Sequence, residues 1–206
     1  MAYKTSQEQF WAGSFGDEYI SRNQGESLLA SNLNFFSKAL ERADKPGKII
    51  EFGANIGMNL RALQLLFPEA ELAAIEINQA AASQLAQLIG DRNTHNVSIL
   101  DFKASEQYDL AFIKGVLIHI NPAILPEVYE KIYLSSSKYI LLGEYYNPSP
   151  VTIPYRGHTD RLFKRDFAGE LLDRYSDLHL VDYGFAYRRD PSFPQDDINW
   201  FLLEKK

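Results

Sequence analysis

Cysteine is absent from the 206 residues of the chain. Disulfide bonds, thiolate metal sites and cysteine nucleophiles are therefore excluded. Long apolar segments are also missing, because Lys114 and His119 interrupt the longest hydrophobic run before it reaches the length of a membrane span. The first ten residues, MAYKTSQEQF, are polar and lack the apolar run of a signal peptide. We therefore expect a cytoplasmic protein without a membrane-spanning segment.

Basic side chains are fewer than acidic ones, and the resulting net charge of −6 argues against binding to nucleic acid. The exception is the segment from Tyr155 to Arg165, where four basic side chains accompany a single acid, Asp160. This local excess predicts one of two structures. It is either a site for a small anionic substrate or a solvated loop whose cations pair with nearby acids.

Predicted strands and helices alternate after an N-terminal part that has helical spacing. The predicted strands are KIIEF, ELAAIEI, NVSILDF, the start of YDLAFIKGVLIHI, SKYILLGEYYN, LHLVDYGFAYR and INWFLLEK, the last two forming a hairpin-like end. Such alternation indicates βαβ units and a mainly parallel sheet. We predict one domain over residues 1–206, with an N-terminal helical segment (1–45) and an α/β core (46–206).

The turn after the first strand, Glu51 to Gly57, is the expected ligand site, because parallel sheets bind ligands beyond the carboxyl ends of their strands. It lacks the GxGxxG of nicotinamide enzymes and the GK[ST] of phosphate-binding loops. Glu76, at the end of the second strand, is placed to accept hydrogen bonds from a ribose diol. Asp101, at the end of the predicted third strand, could hold the amine of an adenine. Together these features predict a nucleoside-bearing ligand.

The acid-x-Gly-x-x-x-Gly turn, the second-strand acid and the third-strand Asp resemble motifs I to III of class I S-adenosylmethionine (SAM)-dependent methyltransferases, and IKGVLIHINP resembles motif IV. The resemblance implies a Rossmann-like α/β fold whose mostly parallel, seven-stranded sheet has helices on both faces and an antiparallel last strand. It implies SAM as cofactor, S-adenosylhomocysteine (SAH) as product and a methyl-transfer activity. The cofactor-binding residues that it implies are Glu51, Gly53, Ala54, Asn55, Gly57, Glu76, Ile77, Asp101, Phe102, Lys114 and Gly115.

Three further segments, EQFWAGSFGDEYISRN, GVLIHINP and GEYYNPSPVTIPYRGHTDRLFKRDFAGELLD, resemble the methylases associated with pseudaminic acid biosynthesis. This resemblance implies a small acidic substrate, such as a nonulosonic-acid sugar or its nucleotide-linked form. It also favours an N-terminal lid that brings Trp11, Tyr19 and Arg22 to the cofactor. The alternative is a helix that packs its aromatic residues on the sheet.

Candidates for the transfer step follow the fourth and fifth strands. His119, His158 and Tyr146 are the predicted catalytic residues, with a histidine as general base. Alternatively, the His119 ring packs beneath the loop and caps a carbonyl. Tyr145 and Tyr146 point to opposite sides if the strand continues, so only one can face a ligand. The predicted substrate-binding residues are Glu144, Tyr145, Tyr155, Arg156 and Arg161, the arginines as clamps for an anion.

Other functions stay open at this point. The same pocket would serve N- or carboxyl-methylation of an amino-acid-like natural-product intermediate. A nicotinamide-dependent oxidoreductase and a non-catalytic scaffold that keeps the cofactor fold are the alternatives from other classes. The four histidines show no metal-binding spacing such as HExxH, and no GxSxG elbow is present, so we predict neither a metal site nor a serine hydrolase.

Overall fold

The structure is a computed structural model that describes residues 3–22 and 24–206. Its helices are α1 (Ser6–Ala12), α2 (Ser14–Ile20), α3 (Glu26–Ala39), α4 (Met58–Leu66), α5 (Gln79–Ile89), α6 (Leu125–Ser135) and α7 (Phe167–Arg174). Its strands are β1 (Lys48–Phe52), β2 (Glu71–Ile75), β3 (Thr94–His95), β4 (Tyr108–Lys114), β5 (Ser136–Glu144), β6 (Val151–Thr152), β7 (Phe163–Lys164), β8 (Leu178–Ala186) and β9 (Ile198–Lys205).

Seven of these strands form one sheet in the order β3-β2-β1-β4-β5-β9-β8. The first five run parallel, whereas β9 lies antiparallel between β5 and β8. The predicted fold class is confirmed, including the hairpin-like end and the antiparallel last strand. All five parallel strands direct their carboxyl ends to the same edge, which is where a ligand site is expected.

Helices cover both faces of the sheet because the central strands are apolar on both sides. Ile49 and Phe112 face the layer of α3, α4 and α5, while Ile50 and Ile113 face α6 and α7. All four side chains are fully buried. This burial fixes the orientation of the strands, and hence of the polar residues at their carboxyl ends.

The N-terminal helices α1 and α2 lie across the end of α5. Thr5 and Glu8 form a capping box that starts α1, as the Thr5 side chain accepts from the backbone of Glu8 and the Glu8 carboxylate accepts from the backbone of Thr5. Asn78 donates from its side chain to Asp17 at 2.8 Å. A Cβ at Gly16 would lie 2.8 Å from the same Asn78 amide nitrogen, so the close approach requires glycine.

The third strand differs from its prediction. The sequence pattern placed it over NVSILDF, but β3 contains only Thr94 and His95. The chain turns instead at Ser98, whose carbonyl accepts from the backbone nitrogens of Asp101 and Phe102. A serine side chain competes with strand pairing by bonding locally, and the Ser98 hydroxyl accepts from the backbone of Leu100.

No helix within residues 3–22 and 24–206 is long and apolar enough to cross a membrane.

Candidate functional site

A cavity of about 440 Å³ lies at the carboxyl ends of the parallel strands, and residues of α1 and α2 close one side of it. It brings together thirteen of the predicted site residues. These are Trp11, Tyr19, Gly53, Ala54, Asn55, Glu76, Ile77, Lys114, Gly115, His119, Tyr145, Tyr155 and Arg156. The cavity is therefore the structure's candidate active site.

The turn after β1 brings backbone atoms to the cavity wall. Gly53 has φ +77°, and a Cβ there would lie 2.7 Å from the side chain of Val116. Gly57 has φ +85°, and a Cβ would lie 2.8 Å from Leu85. Only glycine combines this backbone conformation with such close packing. Gly57 does not itself line the cavity; it lets α4 start against α5.

Glu76 presents a fixed carboxylate at the end of β2. Its Oε2 accepts from the backbone nitrogen of Asn55 at 2.7 Å, and its Oε1 accepts from that of Asn78 at 2.7 Å. Burial raises the pKa of Glu76, whereas these backbone donors lower it. Carboxylate oxygens have further lone pairs, so Glu76 can accept from two neighbouring hydroxyl groups of a ligand in the cavity.

Glu51 and Lys114 interact electrostatically beneath the turn. Glu51 does not line the cavity: its Oε1 accepts from the side chain of Asn59 at 2.6 Å, and Asn59 reaches the wall. Burial raises the pKa of Glu51 to about 8. Burial also lowers the pKa of Lys114 to about 8, against the opposing effect of the Glu51 charge.

Asp101 and Phe102 lie outside the cavity, unlike the sequence prediction. The short β3 lets the chain turn early, so that residues 97–100 form the wall instead. Asp101 forms an ion pair with Lys4 at 2.8 Å, and Phe102 is buried in the core. The polar group at this end of the wall is the hydroxyl of Ser98, which donates to Glu8 of α1.

His119 lies in the wall with one ring nitrogen already bound. Its Nδ1 is 2.6 Å from the carbonyl oxygen of Arg161. A carbonyl only accepts, so Nδ1 carries the proton and Nε2 keeps a free lone pair. Burial lowers the pKa of His119 to about 4, which keeps the ring neutral at pH 7. The ring packs against Trp11 and Tyr155, with centroids 4.7 and 5.1 Å apart. This contact matches the carbonyl-capping alternative.

The two tyrosines after β5 separate as expected from strand geometry. Tyr145 lines the cavity, whereas Tyr146 is 40% exposed and lies near Phe201, outside it. Tyr155 and Arg156 also reach the wall, from a tight turn in which Arg156 has φ +47°. The Arg156 guanidinium lies 5.6 Å from the centre of the Tyr155 ring.

Glu144 supports the site from below instead of lining it. Its carboxylate accepts from the backbone nitrogens of Val116, Leu117 and Ile118, at 3.0, 2.9 and 3.4 Å. Burial raises its pKa to about 7. Glu144 thereby holds the turn after β4, which carries Gly115 and leads to His119.

Three further predicted residues also lie outside the cavity. Arg161 pairs with Asp160 at 2.5 Å and contributes its carbonyl to His119. His158 is exposed and lies edge-on to Phe10. The guanidinium of Arg22 lies 5.9 Å from the ring centre of Phe15.

Several polar residues of the wall were not predicted from the sequence, among them Glu8, Asn32, Asn78, Gln195 and Asp196. Asn32 carried a signal that could have been used, because it interrupts the apolar stripe of α3 and a buried polar residue is informative. Gln195 and Asp196 lie in a Pro/Asp-rich loop that resembles an ordinary solvated connection.

No family model matches the sequence, and no curated protein is similar to it. The fold is similar to that of the 1,6-didemethyltoxoflavin N1-methyltransferase of Burkholderia thailandensis, solved with 1,6-didemethyltoxoflavin and SAH: TM-score 0.72, 14% identity, 100% of this chain and 93% of that one. It is similar to magnesium protoporphyrin IX methyltransferase of Synechocystis PCC 6803 with SAM: TM-score 0.68, 9% identity, 100% of both chains.

A third similar structure is an amino pentose methyltransferase of Micromonospora echinaspora, solved with SAM and involved in calicheamicin biosynthesis. Its TM-score is 0.65 at 9% identity, over 93% of this chain and 97% of that one. The chain therefore has the fold of class I SAM-dependent methyltransferases.

Proposed function

We propose that this chain is a SAM-dependent methyltransferase acting on a small molecule. The observation that carries the proposal is the placement of Glu76. In a class I methyltransferase fold, this carboxylate lies at the end of β2, faces the cavity and is held by two backbone donors. It is ready to bind the two ribose hydroxyls of a nucleoside.

The cavity wall fits the remaining parts of SAM. The turn from Gly53 to Asn55 offers backbone groups to the amino-acid end of the cofactor, next to Lys114 and Gly115. The wall at residues 97–100 provides apolar side chains for the adenine. When bound, SAM would supply a methyl group on a sulfonium centre.

A small-molecule acceptor is favoured by the enclosure of the site. A cavity of about 440 Å³ lies in the range of about 300–1,000 Å³ that is usual for small ligands. Trp11 and Tyr19 of the N-terminal helices line it, as expected for a lid that excludes water. A lid over residues 1–45 is accordingly part of the proposal.

The chain's own contribution to transfer is to hold the acceptor. Alignment of the reacting groups supplies much of the acceleration in displacements of this kind. His119 presents a lone pair on Nε2 and remains neutral at pH 7, so it accepts a hydrogen bond from a hydroxyl or amine of the acceptor. Because its pKa is low, His119 is a weak general base for the proton that the acceptor releases, and its role is to orient the acceptor.

The acceptor that we favour is an acidic metabolite of the nonulosonic-acid type, free or nucleotide-linked. The resemblance to the methylases associated with pseudaminic acid biosynthesis supports this choice. Arg156 supports it as well, because it lines the cavity and its guanidinium forms no ion pair with a carboxylate among the residues described. A guanidinium can bind a carboxylate through two parallel hydrogen bonds.

Calorimetric titration with SAM, SAH and NAD tests the proposal. We expect SAM and SAH to bind, and Glu76→Ala to weaken both by roughly tenfold or more, because two hydrogen bonds to a charged group are lost. Glu71→Ala, an exposed position at the start of the same strand, is the matched control and should bind as the wild type does.

Binding of NAD in place of SAM would overturn the cofactor assignment. SAM binding without methyl transfer to any acidic sugar or amino-acid-like acceptor would instead favour the scaffold alternative. The acceptor atom, oxygen or nitrogen, follows from mass spectrometry of the methylated product.

A further inference from the structure

Two buried amides, Asn32 and Gln195, meet in the cavity wall although they are far apart in the sequence. Gln195 donates from Nε2 to the side-chain oxygen of Asn32 at 3.0 Å. Asn32 is 1% exposed and Gln195 is 7% exposed, yet both line the cavity. Burying two amides is unfavourable unless their polar groups find partners, so their position here calls for a function.

Lys114 fixes which way both amides point. Its ammonium, which can only donate, lies 3.4 Å from the side-chain oxygen of Asn32. Asn32 must therefore present oxygen to Lys114, and Gln195 must present its NH2 group to that same oxygen. The Asn32 Nδ2 and the Gln195 Oε1 are left over, as a donor and an acceptor on two amides that are joined by the 3.0 Å hydrogen bond.

These two atoms remain available for a ligand. Within residues 3–22 and 24–206, neither atom has a hydrogen-bond partner. Among the described residues, the side-chain atoms that are fully enclosed and have no hydrogen-bond partner belong to Trp11, Glu51 and Arg161. Asn32 Nδ2 and Gln195 Oε1 are not among them, so both atoms are accessible from outside the packed protein. Both residues are buried and both line the cavity, which is therefore where a ligand would meet these atoms.

The amide pair lies at the end of the cavity opposite Glu76. Glu76 follows β2, whereas Gln195 precedes β9, and the strands β1, β4 and β5 lie between them in the sheet. If the nucleoside binds at Glu76 and the amino-acid end of the cofactor lies near Lys114, then Gln195, which precedes β9 on the far side of β5, belongs to the acceptor, and Asn32 connects it to Lys114. Tyr145 lines the same end, from the chain just after β5.

We propose that Asn32 and Gln195 select a hydroxylated acceptor, by donating to and accepting from one of its hydroxyl groups. A hydroxyl oxygen can accept from Asn32 Nδ2 while its hydrogen is donated to Gln195 Oε1, so a single group satisfies both amides. An acceptor without a hydroxyl leaves two buried polar groups unpaired, which makes such a site selective. The inference rests on the proposed function and narrows its substrate class to small molecules that carry a hydroxyl group.

The test is ligand-observed NMR on protein saturated with SAH, using four probes. N-acetylneuraminate and galacturonate carry hydroxyls and a carboxylate, methyl β-galactoside carries hydroxyls alone, and cyclohexanecarboxylate carries a carboxylate alone. We expect Gln195→Met to weaken binding of the hydroxylated probes by roughly tenfold and to leave cyclohexanecarboxylate unchanged. Asn32→Asp keeps the oxygen for Lys114 but removes the donor, and should weaken the same probes. Gln84→Met, exposed on α5, is the control.

Equal binding of the hydroxylated probes to wild type and Gln195→Met would overturn the inference, as would a wild type that binds none of them. The SAH affinity of each variant, measured by calorimetry, should match that of the wild type. If the wild type fails to bind SAH, the proposed function has failed, and the probes are then titrated against the protein alone to decide the role of the amide pair.

Discussion

A buried carboxylate below the site makes the stability of the protein depend on pH. Burial raises the pKa of Glu51 from 4.5 to about 8. Between these values the folded chain keeps a proton that the unfolded chain has lost, so stability falls as the pH rises. Glu51→Gln abolishes this titration and keeps an oxygen for Asn59. We expect the free energy of unfolding of the variant, relative to wild type, to increase from about pH 5 to about pH 8 by on the order of 1 kcal/mol per pH unit.

The measurement is urea unfolding of both proteins across that range without ligand. Glu41→Gln, at an exposed position, should follow the wild type at every pH. Glu144 also titrates in this range, but it is common to all three proteins and cancels in the difference. Lys114 interacts with the Glu51 charge, so its titration is part of the measured difference. A difference between Glu51→Gln and wild type that stays constant with pH would contradict the raised pKa.

The glycine after β1 is required by packing as well as by backbone conformation, and two alanine variants separate these effects. Gly53 and Gly90 have φ of +77° and +85°, but a Cβ meets Val116 at 2.7 Å in the first case and nothing within 4 Å in the second. Gly90→Ala should therefore cost only the backbone strain of an alanine at φ +85° and ψ 151°, on the order of 1–3 kcal/mol. Gly53→Ala should cost more and abolish SAH binding. Thermal unfolding and calorimetry check both, and equal losses in the two variants would show that the contact with Val116 is unimportant.

At the scale of single residues, the sequence predicted those parts of the site that a short motif encodes. Gly53, Asn55 and Glu76 lie within one βαβ unit, and the structure places all three in the cavity wall. The sequence could not predict the amide pair, because Asn32 and Gln195 are 163 positions apart and meet through the packing of α3 beside β9.

At the scale of elements, the predictions succeeded where apolar patterning decides and failed where local hydrogen bonds do. The strands β1, β2, β4 and β5 are buried apolar runs, and the sequence pattern located each of them. The third strand was predicted over residues 96–102, whereas β3 is formed by the two residues before them and the predicted segment forms local hydrogen bonds around Ser98. The misplaced strand led to the prediction that Asp101 contacts the adenine. The structure places Asp101 outside the cavity, in an ion pair with Lys4.

The helix pair α1–α2 is held on the cofactor side of the molecule by a polar contact that can be removed. Asp17 accepts from the side chain of Asn78 at 2.8 Å, and the backbone of Asn78 in turn donates to Glu76. We expect Asp17→Ala to speed amide exchange in α1 and α2 by about fivefold, as loss of about 1 kcal/mol implies. Hydrogen-exchange mass spectrometry on peptides from these helices measures it.

The neighbouring Glu18→Ala is the matched control, because the Glu18 side chain is 70% exposed and its ion-pair contact with Arg22 is 4.0 Å. Bound SAH should slow exchange of the same peptides in the wild type if the helices act as a lid. Equal exchange in Asp17→Ala and Glu18→Ala would mean that the contact with Asn78 does not hold the helix pair.

At the scale of the whole molecule, one sheet joins several parts of the site. The Gly53 turn, Glu76, Lys114 and Gln195 are attached to strands β1, β2, β4 and β9 of this sheet, whose two faces are both covered by helices. A ligand that bridges these strands should therefore stabilise the entire sheet instead of one segment. This arrangement also supports the prediction of a single domain, for which a single unfolding transition is the test.

Calorimetric melting with and without SAH examines both expectations together. Because SAH binds only the folded chain in this proposal, a concentration about 100 times its Kd adds about 2.7 kcal/mol of stability. For a chain of this size that corresponds to an increase in Tm of roughly 5–10 °C. The whole transition should move as one peak in the wild type, whereas Glu76→Ala at the same SAH concentration should show a much smaller shift. If only part of the heat absorption moves, the sheet does not unfold as a unit; if no part moves, the cavity does not bind SAH.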